Sequence, residues 1–343
     1  MSRETLEWLN TNTLIGFTGK RGKAWHYRAG SDNHFDGPVP IEEVEHRLFH
    51  WTALERPLFV ELETGNPELI AAGLVKPELK KAAIPVRKAI VRSDTGLVMG
   101  IFMDGYTPHQ PKQWLLDNVA TILDDELAIG SAGLLKGGAQ AWVSVEVPDT
   151  IKTPEGVEFR PNLIACTSFD GSLATTYKRI VTNVVCDNTM AVGLNEKGQQ
   201  FKVKHSAKSL SRIADAREAL ALVHTVGDEF AKAVADLCAQ DFTDREFERL
   251  VRDHLAPIET GDSPQSAGIA RRKRGDLLRL WRHDERVAPW RGTKFGAYQA
   301  VNTYQQHEGT VRGTNRAERN MGNTLKGVWE TADDATLSLL ASV

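Results

Sequence analysis

The sequence predicts an α+β protein. Three observations carry this: hairpin-rich strand patterns fill the middle third, one amphipathic helix interrupts them, and helical periodicity runs from Lys208 towards the C-terminus. The expected organisation is an N-terminal region (1–85), a central α+β core (86–208) and a helical C-terminal region (209–343) with a basic segment at 264–326.

Ile41–Trp51 reads as a helix. Ile41, Val44, Leu48 and Trp51 recur at helical spacing, and the acidic residues lie early, where the helix dipole favours them. Leu58–Leu62 is a short strand candidate, and Lys76–Ala83 reads as a loop or frayed turn. Ile90–Arg92 and Leu97–Met103 flank Ser93-Asp94-Thr95-Gly96, a hairpin connection. Gly105-Tyr106-Thr107-Pro108 ends the second strand, and Lys112–Leu127 follows as the inserted helix, with Leu115, Val119, Ile122 and Leu123 on one side. Ser131–Lys136 and Gln140–Val147 form a second hairpin around Gly137-Gly138; the latter alternates, with Ala141, Val143, Val145 and Val147 opposite Trp142, Ser144 and Glu146. Phe159–Phe169 and Phe201–His205 are further strands.

Heptads counted from Ile213 place Ile213, Leu220 and Val234 at a, and Ala216, Val223, Phe230 and Leu237 at d, with Gly227 breaking the seam. This supports a helix of about 30 residues packed on the chain's own sheet, with a coiled coil between subunits as the alternative. Thr243–Leu255 is a second helix with Asp244 and Glu246 in its first turn. Glu259–Ser266 reads as a loop, and helices resume near Gly268, broken around Pro289–Thr293.

Hydrophobic residues at 41% and charged residues at 25% exclude collagen-like, disulfide-scaffold and wholly disordered chains. No apolar run is long enough to span a membrane. Met1–Asn12 is polar and acidic rather than a signal peptide, and Cys166, Cys186 and Cys238 stand apart with no CxxC. A cytoplasmic protein of a bacterial host, with reduced core thiols, is the expectation.

The net charge of −3 conceals a polarity along the chain. Asp215–Asp262 holds twelve acidic against five basic residues; Pro264–Lys326 holds thirteen basic against five acidic. Arg271, Arg272, Lys273 and Arg274 are consecutive, and Arg279, Arg282 and Arg286 share a helical face. Lys197, Lys202, Lys204, His205 and Lys208 form a second cluster, with Lys178 and Arg179 upstream. Focused positive potential suits a polyphosphate partner. The alternative is that the basic stretch pairs with the acidic one before it.

No Walker loop, dinucleotide-binding glycine motif, HExxH or GxSxG occurs. His46 and His50, four apart, come closest to metal-ligand spacing. Asp149 followed by Glu158-Phe159-Arg160 faintly matches a metal-dependent nuclease pattern, with Arg where Lys is usual. Cys186-Asp187-Asn188 reads as a buried thiol followed by turn residues. Tyr106, Tyr177, Trp290 and Phe295 lie beside basic residues or in the Gly-Tyr turn, where exposed rings could stack on bases.

Several segments together resemble a family of phage- and plasmid-like proteins, those carrying domain of unknown function 932. They are Arg92–Gly96, Gly105–Gln110, Gly133–Gly138, Asp170-Gly171-Ser172, Arg179–Thr189, Lys204-His205, Ala214–Leu222 and Gly292–Tyr298, with Ala24-Trp25-His26 near the start. Tyr27 and Arg28 replace the glycines usual after that histidine. The resemblance implies a mobile-element origin and no defined reaction. The order hairpin, Gly-Tyr turn, helix, hairpin, basic strand is more distantly similar to the phage single-strand annealing recombinases of the RecT and Red-beta type, which form rings or filaments around one DNA strand.

The expected function is therefore a non-catalytic DNA-binding protein that needs no cofactor and no metal. It would anneal single strands in recombination or replication, as a homo-oligomeric ring or filament. The expected phosphate contacts are Lys178, Arg179, Lys202, Lys204, Arg271, Arg272, Lys273 and Arg274, with Tyr106 and Trp290 as stacking platforms. One alternative is an anti-defence protein that binds a host factor through the acidic helix Asp215–Asp253. Another is a metal-dependent nuclease built on Asp94, Glu146, Asp149 or Glu158.

Overall fold

A computed structural model describes residues 12–21, 32–121, 123, 127–147, 149–183, 188–190, 200–206, 209, 225–259, 264–312 and 316–343. Antiparallel sheets fill the N-terminal half and helices the C-terminal half, so the chain is α+β.

An antiparallel sheet forms the centre. Its strands are β1 (Thr13–Ile15), β5 (Ala128–Leu135), β6 (Gln140–Glu146), β8 (Glu158–Ser168), β9 (Thr175–Asn183) and β10 (Asn188–Met190), hydrogen-bonded in the order β1-β5-β6-β8-β9-β10. Short β7 (Ile151–Lys152) pairs with β8, and β11 (Gln200–Val203) with β9. The alternation read in β6 is real, but neither face meets water: every residue of β6 is buried. Ala141, Val143 and Val145 pack with Leu134 and Leu163 under Val44, Leu48, Leu115 and Val119. On the opposite face Trp142, Ile164 and Cys166 meet Leu325. Gly133 is required here: a Cβ on it would lie 2.1 Å from the Trp142 ring.

A second sheet holds β2 (Ala53–Thr64), β3 (Glu78–Arg92) and β4 (Val98–Met103) in that order. The hairpin around Ser93–Gly96 forms as read. Lys76–Ala83 is not a loop: most of it belongs to β3, which pairs with β2 as far as Thr64↔Glu78. The two strands form a ribbon that projects beyond the sheet, so no burial pattern betrays it in the sequence. The boundary expected at 85/86 falls inside β3.

Helices α1 (Thr18–Arg21), α2 (Ile41–Arg47) and α3 (Pro67–Ala71) lie in the N-terminal region. The inserted helix is shorter than read: a π-turn, Lys112–Leu116, runs into α4 (Asp117–Ala120). The C-terminal helices are α5 (Thr225–Cys238), α6 (Asp244–Glu259), α7 (Pro264–His283), α8 (Lys294–Thr303), α9 (Arg316–Lys326) and α10 (Val328–Ser342). The N-terminal half of the expected heptad helix lies outside the described residues. Its remainder, α5, packs on the sheet through Phe230, whose ring lies 4.6 Å from that of Phe159. α6 starts with a capping box: the Thr243 backbone N–H donates to Glu246 Oε2 at 2.7 Å, and the Glu246 N–H donates back to Thr243 Oγ1 at 3.3 Å.

Candidate nucleic-acid interface

The ten residues expected to meet nucleic acid are scattered. Lys178 is 4% exposed. It shares a face of β8–β9 with Ile164, its register partner, and donates to the Thr324 carbonyl and to Glu330. A buried, paired ammonium is not available to phosphate, so this expectation is corrected. Trp290 is also buried; its indole N–H donates to the Glu155 carbonyl at 2.9 Å and its ring meets Phe295 edge-on. Tyr106 has Phe102 stacked on one face at 3.9 Å and His205 on the other at 4.9 Å, so no base can stack there. Arg179 is half-buried on β9. Lys202 and Lys204 are exposed, on β11 and just after it. Arg271 and Arg272 are exposed on α7, and Lys273 and Arg274 half-buried.

The basic face of α7 divides. Arg282 reaches Glu248 at 2.8 Å, Arg286 holds Asp284 at 2.7 Å and Glu308 at 3.3 Å, and Arg279 also pairs with Glu308. These three are neutralised within the chain, but only Arg282 pairs with the preceding acidic stretch; Asp284 and Glu308 lie in the basic stretch itself. Arg274 lies where α7 meets α6. α6 and α7 run antiparallel: the Trp281 indole donates to Asp244 at 2.7 Å and stacks on Phe247 at one end, while Lys273 lies beside His254 at the other. Between them opens a cleft of about 530 Å³ lined by Arg245, Glu248, Arg249, Val251, Arg252, Arg274 and Leu278. Arg245, Arg249 and Arg252 recur at i, i+4 and i+7, so one helix face presents three guanidinium groups. Arg252 touches Asp253 at 3.2 Å, and the lining carboxylate, Glu248, is already held by Arg282. Four arginines around one cleft form a site for an anion of several charges. Sequence reading missed three of them because they lie in the stretch that counts as acidic. Their i, i+4, i+7 spacing was the available signal.

Beside the sheet, the segments that carry the family resemblance converge. His109, 1% exposed, stacks on Trp114 at 3.8 Å and on His205 at 4.1 Å. With Phe102 and Tyr106 this makes a continuous pile of five rings. Thr175 Oγ1 lies 2.7 Å from His109 Nδ1 and 3.2 Å from His205 Nε2, and Ser209 Oγ lies 2.8 Å from His109 Nε2. Burial, reinforced by His205, pushes His109 down to about 3, and burial pushes His205 down to about 4. Both rings are neutral at neutral pH and act as hydrogen-bonding spacers. Arg92, from the hairpin turn, grips Asp94 at 2.8 and 2.9 Å, donates to the Gly137 carbonyl at 2.9 Å and lies over the Trp51 ring. Lys136 reaches Asp170 at 2.7 Å. Both clusters tie hairpin ends together.

The carboxylates of the nuclease alternative are each engaged elsewhere. Asp94 is held by Arg92, with His50 3.3 Å away; Asp149 meets Lys20 at 2.7 Å and Glu158 meets Lys152 at 3.1 Å. Glu146 is buried against Gly130. Among the described residues, no three His, Cys, Asp or Glu side chains gather where they could hold a metal ion. Burial pushes the Cys166 thiol up to about 12 and that of Cys238 up to about 11, so neither is a ready nucleophile. Cys186 and Asp187 lie outside the described residues. No helix among the described residues is long and apolar enough to cross a membrane.

A family model described as a domain of unknown function (DUF932) matches residues 98–329, about two-thirds of the chain. The chain belongs to this family. No curated protein and no solved structure matches it. The DUF932 match takes in the five-ring pile and the arginine cleft, and begins after the β2–β3 ribbon.

Proposed function

We propose that this DUF932 protein binds single-stranded DNA by its phosphates in the α6–α7 cleft and performs no chemistry on it. The single observation behind this reading is the convergence of Arg245, Arg249, Arg252 and Arg274 on a cleft whose lining carboxylate is already paired. Guanidinium groups in such an arrangement neutralise successive phosphates and leave bases free to pair. The resemblance to phage- and plasmid-like proteins extends the reading to a strand-annealing role in recombination or replication, inside a bacterial host and in an oligomer long enough to track a strand. Lys202, Lys204, Arg271 and Arg272 are exposed, but none of them lines the cleft; Lys178, Tyr106 and Trp290 do not take part.

The test is fluorescence anisotropy with a labelled oligonucleotide from about 50 to about 500 mM salt, followed by annealing of complementary strands without nucleotide or metal. Affinity falling steeply with salt, and annealing without cleavage, are expected. No binding at the low end, or affinity insensitive to salt, refutes the reading. Cleavage abolished by EDTA replaces it with the nuclease.

A further inference from the structure

The exposed large apolar side chains are not spread over the molecule. Among the described residues there are fifteen, and thirteen fall between Phe59 and Met103. They concentrate on the β2–β3 ribbon and the adjoining strand β4: Phe59 is 53% exposed, Leu62 47%, Leu79 65% and Ile101 54%.

The ribbon's geometry says what kind of partner fits. The pairing of β2 with β3 shifts register between Pro57 and Phe59, and beyond that bulge the two strands continue alone. β4 pairs with β3 only from Arg87 to Val91, so the outer edge of Glu78–Val86 is open, as is that of β2 at the end of the sheet. Residues on both faces of the ribbon are exposed, so one ligand lying on one face would leave the other in water.

Charge then selects the partner. From Pro57 to Thr64, β2 carries Glu61 and Glu63 and no cation. Along its open edge, Glu78–Val86, β3 carries Lys80 and Lys81 against Glu78 alone. Glu61, Glu63, Lys80 and Lys81 are all exposed; Glu61 stands opposite Lys81 across the ribbon, and among the described residues none of the four makes a direct ion pair. Two β2 edges side by side would set carboxylate against carboxylate, and two β3 edges ammonium against ammonium, which like-charged cross-strand neighbours disfavour. A β2 edge beside a β3 edge is complementary.

We propose that the Phe59–Ala83 arm joins copies of this chain head to tail, the acidic β2 edge of one against the basic β3 edge of the next. Such a contact uses two different surfaces, so it repeats; it builds a ring if the rotation closes and a filament if it does not. Each arm then has a strand neighbour along either open edge. The expected oligomer of the functional reading came from the length of strand one protomer can track. This surface is read from the arm alone, so the two ideas fail separately.

Sedimentation velocity on the full chain at micromolar concentration tests it. The wild-type protein is expected to sediment as a multiple of its 38.0 kDa protomer. E61K/E63K, with two basic edges, and K80E/K81E, with two acidic edges, are each expected to be monomeric, and their mixture to assemble. Assembly of the mixture also shows that both variants are folded. A monomeric wild type, assembly of either variant alone at the wild-type size, or a mixture that stays monomeric while circular dichroism shows both variants folded, overturns the proposal. Oligonucleotide anisotropy on E61K/E63K separates the two sites: binding of a short strand persists if the cleft acts within one protomer.

Discussion

Replacing Arg249 by alanine removes the central guanidinium of the three on α6. If all four cleft arginines neutralise phosphates of a single strand, the slope of log K against log salt is about −3, at about −0.7 per phosphate. R249A is then expected to bring the slope to about −2 and to weaken binding about fivefold at 0.1 M salt. The triple variant R245A/R249A/R252A leaves Arg274 alone and is expected to lose about a hundredfold. Folding stability should hardly change: Arg249 is a like-charge i, i+4 neighbour of Arg245 but an opposite-charge neighbour of Glu246 and Asp253, and each such helix pair is worth only about 0.2–0.5 kcal/mol. Salt-titrated anisotropy supplies the slope and thermal unfolding the stability. R286A is the control: it breaks pairs with Asp284 and Glu308, neither of which lines the cleft, and should leave the slope near −3. An unchanged slope in R249A, together with a changed slope in K202A/K204A, would place the strand on β11 and end the argument for the cleft.

Other expectations follow from the interior. His109 and His205 have pKa values depressed below the unfolded value near 6.5, so their contribution to stability is full above about pH 6.5 and is lost as pH falls towards 4. Two such groups cost about 3 kcal/mol per pH unit in that window; denaturant titration at pH 7 and pH 5 should differ by several kcal/mol, and H205F should flatten the dependence. Equal stability at the two pH values would show that these rings protonate freely in the fold. Lys178 and Glu330 form a largely buried pair, so E330A leaves an uncompensated ammonium and should destabilise by about 3–5 kcal/mol, whereas K178M/E330A should recover part of the loss. Chemical denaturation of both variants decides this, and equal losses would indicate a pair that water already screens. G133A places a methyl group inside the Trp142 ring volume and should cost at least about 1–3 kcal/mol, read as a lowered melting temperature.

Elements whose pattern reflects burial were legible in the sequence. The hairpins around Ser93–Gly96 and Gly137-Gly138, helix α2 and helix α6 with its capping box all sit where turn chemistry and periodicity place them. The distal part of β3 was not legible, because a ribbon exposed on both faces has no buried side to impose alternation. The start of β9 was missed for a related reason. Tyr177, Lys178 and Arg179 read as a basic motif, whereas period two sends Tyr177 to one core and Lys178 to the other. Trp290 and Tyr106 show that a ring beside cations in sequence says nothing about whether its faces are open.

Charge counting failed in a more instructive way. Summed over Asp215–Asp262 the chain is acidic, and summed over Pro264–Lys326 it is basic, which suggests two stretches that cancel. In three dimensions the cancellation is local. Arg282 takes Glu248, and Glu308 takes Arg279 and Arg286. The cleft brings Arg274 of the basic stretch together with three arginines of the acidic one, around the single lining carboxylate Glu248. Glu248 lines the same opening, at i, i+4 to Arg252, and is drawn to Arg282, while Arg252 touches Asp253. Arginines therefore outnumber carboxylates four to one in the lining, and it is this excess, not a set of bare charges, that a polyanion bound there would meet.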